Sequence, residues 1–231
     1  MPVIIALFMA IIIAVKALLI TGTDTGVGKT FVSYNLAYAL KERNLEVGYL
    51  KPIETDVKDM PQDGSLLVSL TGQSLDEAVP VRFRLPLSPY GSILEEGKDF
   101  SLEALKDHYL KALKSYDFLI VEGAGGVAVP IKKDYNYANL ARDWGLPLLL
   151  VARAGLGTIN HSFLSYYYIK AMGLELLGIV MNGFEGKDIS EKTNPLIVEE
   201  LTGAKVLKIP KVKSLLLPAI YRDMLAKFVG L

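Results

Sequence analysis

The residues best arranged for chemistry lie in Gly22-Thr-Asp-Thr-Gly-Val-Gly-Lys-Thr30. The segment follows a short apolar stretch and opens a helical pattern. In that setting a glycine-rich turn and a helix N-terminus together form a nest of N–H groups for the phosphates of a nucleoside triphosphate. Lys29 is placed to neutralise the β- and γ-phosphates, and the Thr30 hydroxyl to ligate Mg²⁺. Five residues separate Gly22 from Gly28, where the common form of this loop has four.

Other polar residues stand where apolar stretches end. Lys51 is followed by Pro52-Ile-Glu-Thr-Asp56, and Glu122 by Gly123-Ala-Gly-Gly126. Leu148–Ala152 runs into Arg153, and Leu176–Met181 into Asn182-Gly183. A charge at the end of a buried strand is costly to desolvate unless it is paired or binds something. In an open α/β sheet, such ends form the ligand crevice. Thr30 and Glu122 offer two oxygen ligands for Mg²⁺, and a third carboxylate is available from Asp56, Asp59 or Asp63. Lys51 adds a second cation for charge that spreads during phosphoryl transfer. His161 reads as a structural residue at a helix start.

The elements that must carry these residues follow from periodicity. Apolar strands are expected at Ala17–Ile20, Glu46–Lys51, Phe118–Glu122, Leu148–Ala152, Leu176–Asn182 and Lys205–Ile209. Helical spacing marks Lys29–Arg43, Asp63–Leu70, a segment from Ser101 to about Ser115, Thr158–Met172, Pro195–Thr202 and Leu215–Phe228. Val79–Tyr90, with Pro80, Pro86 and Pro89, reads as irregular. Uniformly apolar strands alternating with helices predict a mostly parallel sheet covered on both faces, in one doubly wound α/β domain over residues 16–231.

Composition narrows the function classes. Lys+Arg and Asp+Glu balance at 25 each, so no bulk positive field draws nucleic acid or an acidic membrane. Without Cys there is no disulfide frame, thiolate nucleophile or zinc knuckle, which fits a reducing compartment; two His exclude a multi-His cage. The apolar run Val3–Val15 is shorter than the roughly 20 residues of a membrane span. It lacks the basic start and cleavage site of a signal peptide. It reads as an extension of the first strand, or as residues upstream of a start near Met9.

From about Lys16 to Ile209 the chain resembles the dethiobiotin synthetases, ATP-dependent carboxylases of biotin synthesis. The resemblance rests on Gly22–Thr30, Lys51-Pro-Ile-Glu-Thr55, Glu122-Gly-Ala-Gly-Gly-Val-Ala-Val-Pro130, Leu156-Gly-Thr-Ile-Asn-His161 and Val180-Met-Asn182. The five-residue gap in the phosphate loop is that family's own variant. The resemblance implies a P-loop NTPase-like fold with a seven-stranded sheet, a cytoplasmic homodimer, and ATP with Mg²⁺. It implies 7,8-diaminononanoate and CO₂ or bicarbonate as substrates, closed to a ureido ring through a carbamate and a carbamic-phosphoric anhydride. Carried over by position, Lys29, Lys51 and Thr25 would serve catalysis, and Thr30, Asp63 and Glu122 would gather Mg²⁺. Gly26, Val27, Gly28, Phe31, Gly123, Ala124, Gly125, Asn182, Gly183, Ile209, Pro210 and Lys211 would complete the ATP site. Thr55 and Lys51 would meet the substrate head. Leu156, Gly157, Thr158, Ile159 and Asn160 would grip its carboxylate tail across the dimer interface.

Two departures from the family stand out. Gly26 replaces a Glu found in some members, and Asp56 replaces a frequent Gly. The competing reading is a ParA/MinD-like switch ATPase, which shares the deviant loop. Such proteins usually carry an extra Lys early in the loop, where Thr23 or Asp24 stands here, and Leu215–Leu231 is not a basic amphipathic helix. Amide-forming relatives from cobalamin synthesis need a second domain that 231 residues cannot hold.

Overall fold

A computed structural model describes residues 16–231. The run Val3–Val15, expected to extend the first strand, lies outside the described residues. In chain order the elements are β1 (Ala17–Gly22), α1 (Lys29–Lys41), β2 (Val47–Leu50), β3 (Ile53–Glu54), α2 (Gln62–Thr71), α3 (Leu75–Ala78), β4 (Val81–Arg82), α4 (Pro89–Glu96), α5 (Leu102–Ser115), β5 (Phe118–Gly126), β6 (Pro130–Lys132), β7 (Tyr135–Asn136), α6 (Tyr137–Trp144), β8 (Leu148–Arg153), α7 (Thr158–Ala171), β9 (Leu176–Phe184), α8 (Ser190–Thr202), β10 (Val206–Pro210) and α9 (Ala219–Phe228).

Six strands form one parallel sheet in the order β10-β9-β8-β1-β5-β2. Alternate side chains feed two cores. Leu19, Val121 and Leu150 meet α5, α6, α7 and α8 through Leu105, Leu140, Ile169 and Val198. Leu18, Ile20 and Ile120 meet α1, α2 and α9 through Leu36, Leu67 and Leu225. Burial on both faces is why these strands read as continuous apolar runs. β1 lies centrally, with β2 and β5 on one side and β8, β9 and β10 on the other. The connection after β1 therefore leaves from the switch point, where such sheets open a crevice.

Three expectations need correction. The main sheet has six strands among the described residues, not seven. β4 is two residues long and pairs in parallel with β3, because Pro80 has no N–H to give a ladder along the edge of β2. The eighth helix begins at Ser190 rather than at Pro195, which sits inside it. The last helix begins at Ala219 rather than at Leu215. Asn35 of α1 pins the preceding segment in irregular form, donating to Leu215 O (3.0 Å) and accepting from Leu217 N (2.8 Å).

Candidate functional site

The phosphate loop is anchored to both strands that flank β1. Thr23 N donates to Val151 O (2.9 Å) and Val127 N to Gly22 O (3.1 Å). Gly28 has φ 94° and caps α1, a left-handed conformation that disfavours a side chain. A Cβ there would also collide with the Asn182 amide, which donates to Val27 O at 3.1 Å. Lys29 is buried, and its ammonium reaches back to Asp24 O (3.4 Å). The Asp24 carboxylate accepts from Thr25 N (2.7 Å) and from Arg153 Nη2 (2.7 Å). Burial holds the Lys29 ammonium below the ordinary lysine value, although Glu122 opposes this.

Beside the loop lies a charge cluster built from three strand ends. Glu122 Oε1 accepts from Thr30 Oγ1 (2.8 Å) and Lys51 Nζ (3.2 Å), and its Oε2 from Ser33 Oγ (2.6 Å). Lys51 also donates to Asp63. Asp63 is held in the first turn of α2 because the buried Glu54 carboxylate accepts from Asp63 N and Gly64 N, each at 3.0 Å. Burial alone would depress Lys51, but Glu122, Asp63 and Glu54 outweigh it and raise its pKa, so it stays protonated. Burial pushes Asp63 upward, yet Lys51 prevails and its carboxyl titrates below the usual range. Glu54, with burial dominant, is raised. These groups border a cleft of about 570 Å³, whose walls include Thr25, Lys29, Thr30, Lys51, Thr55, Asp63 and Glu122. Two fixed cations, a hydroxyl and two carboxylates facing one cleft can bind a polyphosphate and handle charge that develops on a transferring group.

A family model described as an AAA domain matches residues 16–218. The chain is 63% identical over 212 residues to the ATP-dependent dethiobiotin synthetase BioD of Aquifex aeolicus, covering 92% of this chain and 96% of that one. It is 41% identical to the protein of the same name from Bacillus licheniformis, covering 86% and 87% respectively. The chain belongs to the dethiobiotin synthetase family. Among solved structures, the cell division ATPase MinD of Pyrococcus furiosus superposes with a TM-score of 0.59 over 93% of this chain and 98% of its own, at 17% identity. That likeness is one of fold.

Of the remaining positions assigned by the dethiobiotin synthetase resemblance, Val27 and Phe31 pack into the core on the α1 side and Gly123 lies against Tyr137, outside the cleft. The others fall into three places. Gly26, Gly28, Ala124 and Gly125 line the cleft with the residues above, as does Asp56, whereas Asp59 does not. Asn182, Gly183, Ile209, Pro210 and Lys211 form a shelf on the far side of the phosphate loop. There Ile209 pairs with Asn182, and Lys211 N donates to Phe184 O (2.8 Å). Leu156–Asn160 lie outside this chain's own cleft, with Leu156 82% exposed and Thr158 buried at the start of α7.

Sequence reasoning assigned no role to Glu54, Ser33, Val129 or the Pro86–Pro89 wall. Glu54 carries no local signal in Lys51-Pro-Ile-Glu54, since its partners are the N–H groups of a later helix. Ser33 was signalled by its spacing, one turn beyond Thr30 on the same helix face. Asp56, which the resemblance marks as a departure from Gly, has φ 62° and is held by Asp56 N–Leu85 O (3.0 Å) and Val57 N–Phe83 O (2.9 Å). That left-handed backbone favours Gly, and Asp is among the side chains that tolerate it.

Proposed function

We propose that the cleft closes the ureido ring of dethiobiotin from 7,8-diaminononanoate, CO₂ and ATP, releasing ADP and phosphate. The observation that carries this reading is Lys51, buried and charged between Glu122 and Asp63 beside Lys29 and Thr30. Family membership supplies the ATP-dependent ligase chemistry. One amine takes up CO₂ as a carbamate, ATP phosphorylates it, and the second amine displaces phosphate from the carbonyl carbon.

Each step needs something these residues offer. The N–H groups of Gly26–Thr30 and the Lys29 ammonium hold the triphosphate. Lys51 and Lys29 attract the carbamate oxygens and spread the charge of the transferring phosphoryl group, with Thr25 at its edge. Thr55 positions the diamine head. Asn182, with Gly183 and Ile209–Lys211, receives the base, and Gly155–Asn160 take the carboxylate tail across a homodimer interface.

The oxygen donors Thr30, Asp63 and Glu122 fit Mg²⁺. Asp63 and Glu122 already face one cation, the Lys51 ammonium, and Glu122 also accepts from Thr30 Oγ1. Mg²⁺ is typically held by one or two carboxylates together with substrate phosphates. No group of three His, Cys, Asp or Glu forms an all-protein cage among the described residues. When bound, Mg²⁺ would neutralise the β- and γ-phosphate oxygens. No described helix is long and apolar enough to cross a membrane; dependence on ATP supports a cytoplasmic reaction.

The test is a single turnover with labelled bicarbonate. Label should enter a ring product only with both diamine and ATP present, one ADP per ring, and Lys51→Ala should abolish it. ATP hydrolysis stimulated by DNA or lipid, with no incorporation, would sink the reading.

A further inference from the structure

The first two turns of α8 touch both ligand loops that the ring-closure reading invokes, and neither contact is used by the chemistry. Asn194, 3% exposed, donates to Ala154 O (2.8 Å) and Gly155 O (3.2 Å), at the root of the tail loop. Asp188, just ahead of the helix, accepts from Leu156 N (3.3 Å) through one oxygen and from Ser190 N (2.9 Å) through the other. On the opposite side, the buried Glu191 carboxylate accepts from Glu185 N (3.1 Å) and Gly186 N (2.7 Å), in the loop that continues from Asn182 and Gly183. Glu185 in turn pairs with Lys211 of the base shelf. The two loops also meet directly, since Ala154 N donates to Asn182 O at 3.1 Å. The approach is close, for a Cβ on Gly155 would stand 3.3 Å from Asp188 Oδ2.

A buried amide whose N–H bonds go to two carbonyls of a neighbouring loop fixes that loop's backbone, because moving the loop would leave the buried donors without a partner. The same rigid helix holds the turn next to the base. We propose that Asn194, with Asp188, is a positioning residue that ties the tail loop Gly155–Asn160 to the nucleotide-base shelf, so that nucleotide and diamine bind cooperatively. The inference rests on the ring-closure reading. It adds a coupling between two sites through a packed element that each ligand biases.

Isothermal titration of the full chain with diaminononanoate, with and without saturating ADP and Mg²⁺, tests it. In the wild type, nucleotide should tighten the diamine by about fivefold or more, the lower end of the usual range of such couplings. In Asn194→Asp, which puts an oxygen against two carbonyls, and in Asp188→Ala, the ratio should fall towards about one. Affinity for nucleotide alone should change by less than about twofold. Asp188→Asn keeps an acceptor and should restore the wild-type ratio. If Asn194→Asp fails to fold, the half-buried Asp188 pair carries the test. Coupling absent from the wild type, or unchanged in the variants while labelled bicarbonate is still incorporated, overturns the coupling alone. A wild type that neither binds the diamine nor incorporates label overturns the ring-closure reading and the coupling with it.

Discussion

Lys51 and Glu122 are 4% and 0% exposed, so each charge is stable in the fold because the other faces it. Removing one partner from such a pair is expected to cost about 3–5 kcal/mol, since an uncompensated ion stays buried. Lys51→Ala should therefore lower stability in urea as well as abolish ring closure. Lys51→Ala combined with Glu122→Gln should recover much of the stability and none of the turnover. Ser33→Ala should lose about 1.5–3 kcal/mol, because the 2.6 Å bond to Glu122 Oε2 is buried and its acceptor is charged. It should also reduce turnover by freeing the carboxylate to rotate away from Thr30.

The pH response at this scale has two signs. Lys51 is raised, so its contribution to stability is complete below the ordinary value of 10.5 and is lost only as pH climbs through its higher folded value. Asp63 is lowered, so its contribution is complete above 3.8 and is lost as pH falls through its folded value. Lys29 runs the other way. Its folded value is below 10.5, so the unfolded chain binds more protons in that window and stability gains as pH rises through it. Nucleotide affinity needs the ammonium and should fall in the same alkaline window. Replacing it by the always-charged guanidinium in Lys29→Arg should remove that alkaline limb from a nucleotide titration across pH.

At the scale of elements, the link from β3 to α2 decides whether the cluster forms. Glu54 has to reach back to the N-terminus of α2, and the chain between them turns at Asp56 in a left-handed conformation. Asp56→Gly should leave thermal stability unchanged or slightly higher. Asp56→Val should lower it by about 1–2 kcal/mol, the penalty of a β-branched residue at that φ. This link was also the hardest to read in advance. Lys51 and Glu122 follow from the ends of apolar runs, and Thr30 from the glycine-rich loop that opens α1. Glu54 does not, since its role depends on where a later helix arrives. The strands β1, β5, β8 and β9 were legible for their uniform burial. α6 was passed over although Asn136 and Asn139 form a capping box and Gly145 closes it. In α4, prolines that suggest irregular chain instead mark a start, with Ser88 accepting from Gly91 N and Pro89 in the first turn. The seventh strand implied by the resemblance was lost to another proline, Pro80, at the edge of the sheet.

At the scale of the whole molecule, the separation between the cleft and the Leu156–Asn160 loop needs an explanation. Asn160 is exposed, Leu156 projects into solvent, and next to them α7 presents Phe163, Leu164 and Tyr167 outward. An apolar face beside an unused binding loop suits an isologous dimer in which each loop completes the other chain's cleft. Tyr167→Glu should then shift the sedimentation coefficient towards monomer and remove turnover together. The sharper test mixes two inactive proteins. Lys51→Ala spoils a cleft and leaves its loop intact, while Asn160→Ala spoils a loop and leaves its cleft intact. If loops serve the partner, a heterodimer has one doubly damaged site and one undamaged site. Random subunit exchange makes half the dimers hetero, so ring closure should return to about one quarter of the wild-type rate. If each loop serves its own cleft, both sites of the heterodimer carry one lesion and mixing restores nothing.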